Sequence, residues 1–208
     1  QNDPCMTNAE AFDFKLKKVS PNAYVDYCFW GGLTSYNFDD LKELDEKGCV
    51  SFKSFIGPVS PDYESLNYGQ AMEAMEIIKE FDGRAGFHCE DYAIIKNQEK
   101  RMKEAGRNDW KAFLESRPVV AEIVATDAII EIAKATGCKA HICHVSHPAV
   151  AKKIKAAQDE GYDITAETCT HYLTFTNDDV IEKGPLFKCA PILQPKEAFE
   201  EMWEYVKD

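Results

Sequence analysis

Side chains that can bind a metal ion recur near the ends of successive apolar segments in this sequence of 208 residues. Lys53 stands among phenylalanines, and His88 precedes a cysteine and two acidic residues. Further along the chain, His144 lies in a histidine-rich segment, and Glu167 and His171 follow another apolar run. Imidazole, thiolate and carboxylate groups are the ligands that divalent transition metals prefer. This recurrence indicates a metal-dependent site that is assembled from distant parts of the chain.

The segments that carry these residues are predicted to alternate between strands and helices. Strands are expected over residues 23–30, 49–56, 85–89, 139–145 and 163–168. Helices are expected from a cap at Asn37 to 47, from a cap at Asn67, over 91–105, over 118–136, from Pro148 to a stop at Gly161, and near 177–182 and 195–207. This alternation predicts an α/β fold with a mainly parallel sheet, either an open doubly wound sheet or a (β/α)8 barrel. No glycine-rich phosphate loop follows a strand, which disfavours a nucleotide-binding open sheet.

The candidate residues are expected at one edge of that sheet, because functional groups of such folds stand at the carboxyl ends of the parallel strands. Side chains alternate along a strand. The alternation predicts that His144 shares a face with Ile142, whereas His141 and Cys143 point toward the helices. A compact zinc site made from the three histidines of this segment, which ends at His147, would need a helix there. The β-branched composition of the segment argues against that helix.

Each candidate also has a purely structural interpretation. The aliphatic stem of Lys53 can pack along the flanking aromatic rings. His88 can be a hydrogen-bonded histidine of the core, and His144 fits a core role as well as a ligand role. Glu167 and His171 fit supporting roles around a site better than direct ones. Each structural interpretation is reasonable for one residue taken alone. Taken together they are less convincing, because several unrelated polar residues would have to lie by chance on one face of the same sheet.

Composition and charge restrict the class of protein. The formal net charge is −12 and hydrophobic residues make up 45% of the chain, as in globular rather than disordered proteins. The acidic balance argues against a nucleic-acid partner, and no apolar stretch has the length of a membrane helix. The eight cysteines include no CxxC pair. We therefore expect free thiols and a cytoplasmic location rather than a secreted disulfide framework.

Seven stretches of the sequence occur in the same order in a known group of enzymes. They cover residues 25–33, 51–55, 87–90, 113–118, 141–146, 166–173 and 184–191. On these stretches the chain resembles the cyclic amidohydrolases, the group of allantoinases, hydantoinases, dihydropyrimidinases and dihydroorotases, and it is most similar to allantoinases. The resemblance implies a metal-dependent (β/α)8 barrel of the TIM type beside a small β-sandwich, with two divalent metal ions at the mouth of the barrel.

The resemblance also implies roles for particular residues. Lys53 corresponds to a carboxylated lysine whose carbamate bridges the two metal ions, most simply Zn²⁺, and His88 and His144 correspond to ligands of one metal. A buried lysine shifted toward its neutral form can add CO₂, which gives this assignment a physical basis. Cys189 and Ala190 correspond to main-chain contacts with the substrate. The implied substrate is a small cyclic ureide or amide, with allantoin hydrolysed to allantoate as the leading expectation.

Several family features are missing from the chain. The His-x-His pair of the family's first strand is absent, and the family's proton-shuttle aspartate is expected one strand beyond the last residues. A complete barrel typically needs ~250 residues. We therefore expect residues 1–208 to form a partial barrel domain of a longer enzyme, without the first strand, the last strand and the sandwich, and to be inactive alone. Ile192 and Gln194 stand where the family usually has proline and arginine.

Other interpretations stay open at this level. Hydantoinase, dihydropyrimidinase or dihydroorotase activity fits the same group, although Gly57 and Pro58 stand near the position of a hydantoinase tyrosine. A non-catalytic scaffold is a further alternative, but a scaffold would be free to lose the lysine and both histidines. A chain complete in itself would have an open sheet with unpaired edges. The family is commonly tetrameric, so a homo-oligomer is expected.

Overall fold

Five strands and nine helices make up the part of the chain that the computed structural model describes, residues 3–59 and 63–207. Residues 1, 2, 60–62 and 208 of the predicted domain lie outside it. The strands are β1 (Phe29–Gly32), β2 (Cys49–Phe55), β3 (Arg84–His88), β4 (Lys139–Ile142) and β5 (Ile164–Ala166). The helices are α1 (Ala9–Val19), α2 (Leu41–Glu46), α3 (Tyr68–Glu80), α4 (Tyr92–Glu104), α5 (Trp110–Glu115), α6 (Val119–Thr136), α7 (Pro148–Asp159), α8 (Asn177–Lys183) and α9 (Lys196–Lys207). Single 3₁₀ turns cover Phe38–Asp40, Thr170–Leu173 and Gly184–Phe187.

The strand order distinguishes between the two predicted architectures. All five strands are parallel and lie in the order β1-β2-β3-β4-β5, so each strand pairs with its neighbour in sequence. A doubly wound sheet reverses its strand order at a switch point, whereas a barrel adds every strand on the same side. The predicted α/β fold class, part of a (β/α)8-type barrel, is confirmed. The open doubly wound alternative is wrong.

The hydrophobic core fills the space between the sheet and its helices. Phe52, Phe87 and Ile142 project from β2, β3 and β4 into this layer and are almost completely buried. They meet the apolar faces of α3 and α6, which include Met75 and Ile129. Side chains alternate along a strand, so the residues between these positions project from the opposite face, which we call the interior face.

The N-terminal part of the fold differs from the prediction. Only Phe29 and Trp30 of the predicted strand 23–30 belong to β1, and the backbone before them is irregular and exposed. Tyr24 is fully exposed, so the apolar residues of that segment do not mark a buried strand. Helices α1 and α5 were not predicted, although Asn8 and Asp109 cap their first turns with side-chain acceptors.

Asn37 and Asn67 were both predicted as helix caps, and only Asn67 is one. The Asn67 side chain accepts a hydrogen bond from the Gln70 amide, and the Gln70 side chain returns one to the Asn67 amide. Asn37 is buried and makes no cap. Its amide nitrogen donates to the carbonyls of Thr7 and Gly32 at 2.8 Å, and its oxygen accepts from the Thr34 amide at 2.9 Å. Asn37 therefore ties the end of β1 to the N-terminal segment.

A buried carboxyl group joins two loops at the carboxyl edge of the sheet. Glu122 of α6 accepts hydrogen bonds from the amide and the hydroxyl of Ser146, at 2.9 and 2.5 Å. Gln194 donates to the same hydroxyl at 3.0 Å. Burial raises the pKa of Glu122 to about 8, although the hydrogen bonds from Ser146 oppose the shift. This network connects the segment after β4 with the loop that carries Cys189 and Ala190.

None of the helices within residues 3–59 and 63–207 is both long enough and apolar enough to cross a bilayer. All eight cysteines are free thiols.

The two asparagines should differ in their contribution to stability. Asn37→Ala leaves two carbonyls and one amide without partners in a buried loop, and each such group costs about 1–3 kcal/mol. We expect a loss of roughly 3 kcal/mol or more from the free energy of unfolding. Asn67→Ala removes one exposed cap and should cost about 1 kcal/mol. Urea unfolding of both variants measures the difference, and equal losses would contradict the role assigned to Asn37.

Glu122 should make the stability of the fold depend on pH. Its folded-state pKa lies above its unfolded value of 4.5, so the folded protein binds more protons between these values. The stabilisation is present below the unfolded pKa and is lost as the pH rises through about 8. Glu122→Gln keeps the neutral, hydrogen-bonded form and should flatten this fall in unfolding free energy. Glu131→Gln, an exposed change on the same helix, is the control. An unchanged pH slope in Glu122→Gln would show that another group causes the dependence.

Candidate metal centre

Lys53, His88 and His144 converge at the carboxyl edge of the sheet. His88 Nδ1 lies 3.3 Å from His144 Nε2, and the centres of the two rings are 4.8 Å apart. The Phe55 ring contacts two of the three residues, because its centre is 4.7 Å from Lys53 Nζ and 5.3 Å from the centre of the His88 ring. Lys53 comes from the middle of β2, His88 is the last residue of β3, and His144 follows β4. The structure therefore brings together residues that are 91 positions apart in sequence, from 53 to 144.

Backbone geometry explains why His144 reaches this site. β4 ends at Ile142, and His144 adopts a left-handed conformation with φ of 44°. The strand alternation therefore does not extend to His144, and the prediction that it shares a face with Ile142 is wrong. Ile142 is buried in the helix-facing core, whereas His141 lies on the interior face with Lys53. Cys143 also lines the groove on that face, so the prediction that His141 and Cys143 face the helices is wrong as well.

The two histidines are held as neutral imidazoles. Burial lowers the pKa of His88, and hydrogen bonding to Glu90 only partly opposes this shift. Burial, with the nearby Lys53 and His88, lowers the pKa of His144 to about 3. An ionised carboxylate only accepts hydrogen bonds, so His88 Nε2 donates to Glu90 at 2.7 Å. The Nδ1 lone pair of His88 then faces His144, which is the form of imidazole that binds a metal ion.

Glu90 and Arg117 are parts of the site that the sequence pattern did not reveal. From their position before a helix, Glu90 and Asp91 are both expected to interact with the helix dipole. Only Asp91 does so, as the N-cap of α4. Glu90 is buried, and Arg117 donates to it at 2.8 Å. Burial raises the pKa of Glu90, but the hydrogen bond from His88 and the Arg117 charge bring it below its usual value. Gly57 closes this side, because a Cβ there would come within 2.5 Å of the Glu90 carbonyl oxygen.

Lys53 contributes a buried amine to the site. Its Nζ has no hydrogen-bonded partner among the described residues. Burial lowers the pKa of Lys53, and the neighbouring thiol of Cys143 opposes the shift. The backbone carbonyl of Lys53 accepts hydrogen bonds from the Leu33 amide and the Tyr63 hydroxyl. Tyr63 lies in a loop, where periodicity gives no signal, so sequence reasoning missed it.

An open groove of about 480 Å³ gives access to this region. Its wall includes Lys53, His144 and the indole of Trp30. Trp30 packs across Gly86 of β3, and a Cβ at Gly86 would overlap with the indole ring. The groove thus brings the lysine, the histidine and the indole together on the interior face.

The remaining predicted residues lie outside the contacts that join Lys53 to the histidines. Cys189 packs in a separate apolar cluster with Tyr172, and burial raises the pKa of its thiol to about 11. Ala190 is exposed in the same loop. Glu167 pairs with the backbone after β4, and its side chain is 54% exposed. His171 packs against Tyr172, with 4.3 Å between the ring centres.

The donor set has a clear chemical capacity. Two neutral imidazoles with facing nitrogens are a ligand pair for a divalent transition metal. A buried lysine without a partner is inclined toward its neutral form, and the neutral amine is the form that reacts with CO₂. The residues present therefore fit a metal centre that includes a lysine carbamate.

Comparison with known proteins gives close relatives along the whole chain. No family model matches it. An allantoinase of Rubrobacter xylanophilus is 36% identical over 204 residues, which cover 98% of this chain and 45% of that protein. An allantoinase of Salmonella newport is 34% identical over 206 residues, covering 97% of this chain and 46% of that protein. The chain thus spans less than half the length of the curated relatives it matches.

Solved structures agree with this relationship. An L-hydantoinase (dihydropyrimidinase) from Arthrobacter aurescens superimposes with a TM-score of 0.93 and 30% identity, over 96% of this chain and 44% of that one. A dihydropyrimidinase from Brevibacillus agri, at 21% identity and a TM-score of 0.85, shares the fold. By sequence and by fold, the chain is similar over nearly its whole length to part of the allantoinases and of an L-hydantoinase (dihydropyrimidinase).

Proposed function

We propose that the protein containing this chain is a metal-dependent cyclic amidohydrolase that hydrolyses a ring C–N bond of allantoin to give allantoate. The observation that carries the proposal is the convergence of Lys53, His88 and His144 on the interior face, with the two imidazole nitrogens 3.3 Å apart. The similarity to allantoinases over 98% of the chain supports this choice of ring.

In this proposal a carbamate on Lys53 would hold the two divalent metal ions, Zn²⁺ in the simplest case. His88 Nδ1 and His144 Nε2 bind one of the two ions. When bound, such a pair of ions lowers the pKa of water and polarises the ring carbonyl. The neutral state of both imidazoles and the unpaired amine of Lys53 support these roles.

Other residues of the chain act on the ligands and the substrate. Glu90, neutralised by Arg117, fixes the tautomer and the orientation of His88. Main-chain groups of Cys189 and Ala190 contact the substrate ring. The Gln194–Ser146–Glu122 hydrogen bonds, which join their loop to the segment of His144, support that arrangement.

The rest of the active site comes from other parts of the protein. Residues 1–208 form a partial barrel domain in this proposal, and the additional histidine ligands and the proton-shuttle aspartate lie elsewhere. The length of the relatives, of which this chain covers about 45%, supports this division. The segment by itself therefore does not open the ring.

Charge and thiol content bear on the location and the partners of the protein. We infer a cytoplasmic homo-oligomer, a tetramer by family resemblance, that acts on a small molecule and not on nucleic acid or a membrane. The net charge of −12 and the eight free thiols support this inference.

A hydantoinase or dihydropyrimidinase activity is the second candidate. The fit to the Arthrobacter aurescens L-hydantoinase, with a TM-score of 0.93, favours it. A dihydroorotase and a scaffold without catalytic function are weaker alternatives, and the retained lysine and histidines count against the scaffold.

Substrate turnover by the full protein tests the choice of ring. We expect the highest kcat/KM with allantoin, because the chain is more similar in sequence to allantoinases than to the solved hydantoinases. The same assay measures kcat/KM for hydantoin, dihydrouracil and dihydroorotate as comparison substrates. Preferred turnover of hydantoin or dihydrouracil would replace the allantoin assignment with the second candidate.

Removal of single ligands tests the metal centre. Lys53→Ala, His88→Ala and His144→Ala should each lower the bound metal and reduce kcat/KM by about a thousandfold or more, since metal ions supply several kcal/mol of transition-state stabilisation. Added bicarbonate should increase metal uptake by the unsubstituted protein but not by Lys53→Ala. The exposed lysine variant Lys152→Ala is the control. Full metal content and full rate in Lys53→Ala would exclude the carbamate.

A further inference from the structure

Three potential metal ligands lie together on the interior face and have no role in the proposed function. They are His141 on β4, Cys143 just after it, and Glu167 just after β5. One donor atom from each residue lies within 4.8 Å of the other two. Nothing in the sequence pattern predicted this group, because the strand alternation was expected to turn His141 and Cys143 toward the helices.

Within the described part of the chain, the hydrogen bonds of His141 involve only its Nδ1 and leave Nε2 available to a metal ion. Its Nδ1 lies 2.8 Å from the Thr165 hydroxyl, which also accepts from Arg84 and lies 3.4 Å from the Ala140 carbonyl. A hydroxyl donates once and accepts twice. With a metal ion on Nε2, His141 Nδ1–H donates to the Thr165 hydroxyl, which also accepts from Arg84 and donates to the Ala140 carbonyl. In the neutral ring, Nε2 then carries the lone pair.

That lone pair faces another acceptor. His141 Nε2 is buried and has no hydrogen-bond partner among the described residues. The nearest carboxylate oxygen, Glu167 Oε2, is 3.8 Å away. An imidazole lone pair and a carboxylate oxygen repel each other unless a cation or a proton lies between them. The arrangement of Thr165 behind the ring is the kind of outer contact that orients metal-binding histidines.

The chemistry of the group selects the cation. A thiolate, an imidazole and one carboxylate suit Zn²⁺ and other thiophilic divalent ions, whereas Mg²⁺ and Ca²⁺ prefer oxygen ligands alone. Cys143 and Glu167 both line the groove of about 480 Å³ on the interior face, where the ion would lie. Three protein ligands leave a fourth position of a tetrahedral site open.

We propose that His141 Nε2, Cys143 Sγ and a carboxylate oxygen of Glu167 form a thiophilic metal site that takes zinc or a similar divalent ion. Binding replaces the thiol proton of Cys143, which is released to solvent, with a metal–sulfur bond. The site uses none of the ligands of the proposed amidohydrolase centre, so it stands or falls separately from that function.

Titration of the metal-free full protein with Co²⁺ tests the site, because cobalt bound to a thiolate gives a sulfur-to-metal charge-transfer band. We expect the band to appear in the unsubstituted protein and to be lost in Cys143→Ser. Cys138→Ser, the same change at another buried cysteine, is the matched control and should keep the band. A band of full strength in Cys143→Ser would overturn the proposal.

Two gentler variants test the other ligands without disturbing the core. Glu167→Gln changes an exposed side chain, and Thr165→Val removes the outer hydrogen bond to His141 together with the longer contacts of the same hydroxyl to Arg84 and Ala140. Each should lower the affinity for Co²⁺ by about 10- to 100-fold while the band remains visible at saturation. Unchanged affinity in both variants would contradict the ligand set, even if Cys143→Ser failed to fold.

His88→Ala separates this site from the proposed catalytic centre. We expect His88→Ala to lose turnover and keep the sulfur band at its original affinity. Loss of the band in His88→Ala would mean that Cys143 binds the ion of the catalytic centre, which overturns the separate site. If His88→Ala keeps both turnover and the band, the proposed function fails and the thiophilic site stands.

Discussion

Removal of polar groups from water is the constraint on which this structure depends. The interior face carries an amine and several imidazoles that must be neutral, paired or bound to a cation, because an isolated buried charge is strongly disfavoured. His88 meets this condition through Glu90 and Arg117, and Glu122 meets it through Ser146. Lys53 Nζ has no such partner among the described residues. Burial of this amine costs stability, and it also lowers the pKa of Lys53 toward the neutral form that reacts with CO₂.

The register of the strands brings the polar residues of the interior face together. Parallel pairing aligns Lys53 with Gly86, Gly86 with His141, and His141 with Thr165, so one row of residues crosses four strands on the interior face. The layer of Phe52 and its neighbours on the opposite face fixes this register, because a slip by one residue would exchange the two faces. Catalytic and structural residues are therefore coupled through the alternation of a few short strands.

The sequence predicted most of the fold and the three central residues for different reasons. Alternating apolar segments predicted the strands and, except for α5, the helices after residue 48, and family resemblance identified Lys53, His88 and His144. The orientation of His141 and Cys143 was wrong because β4 stops at Ile142 and His144 is left-handed. Contacts such as Arg117 with Glu90 join residues 27 positions apart, and neither helical nor strand periodicity carries that information. Helix caps were predictable when the side chain bonded locally, as for Asn67, and not when it bonded across the chain.

The indole of Trp30 lies where a side chain at position 86 would otherwise project. Any larger residue at 86 would displace the ring, and any smaller residue at 30 would leave a void beside the lysine. A larger residue at 86 would therefore need a smaller residue at 30, so the volumes of the two side chains are coupled across β1 and β3. The combined volume of the two side chains therefore sets the width of the groove above β3.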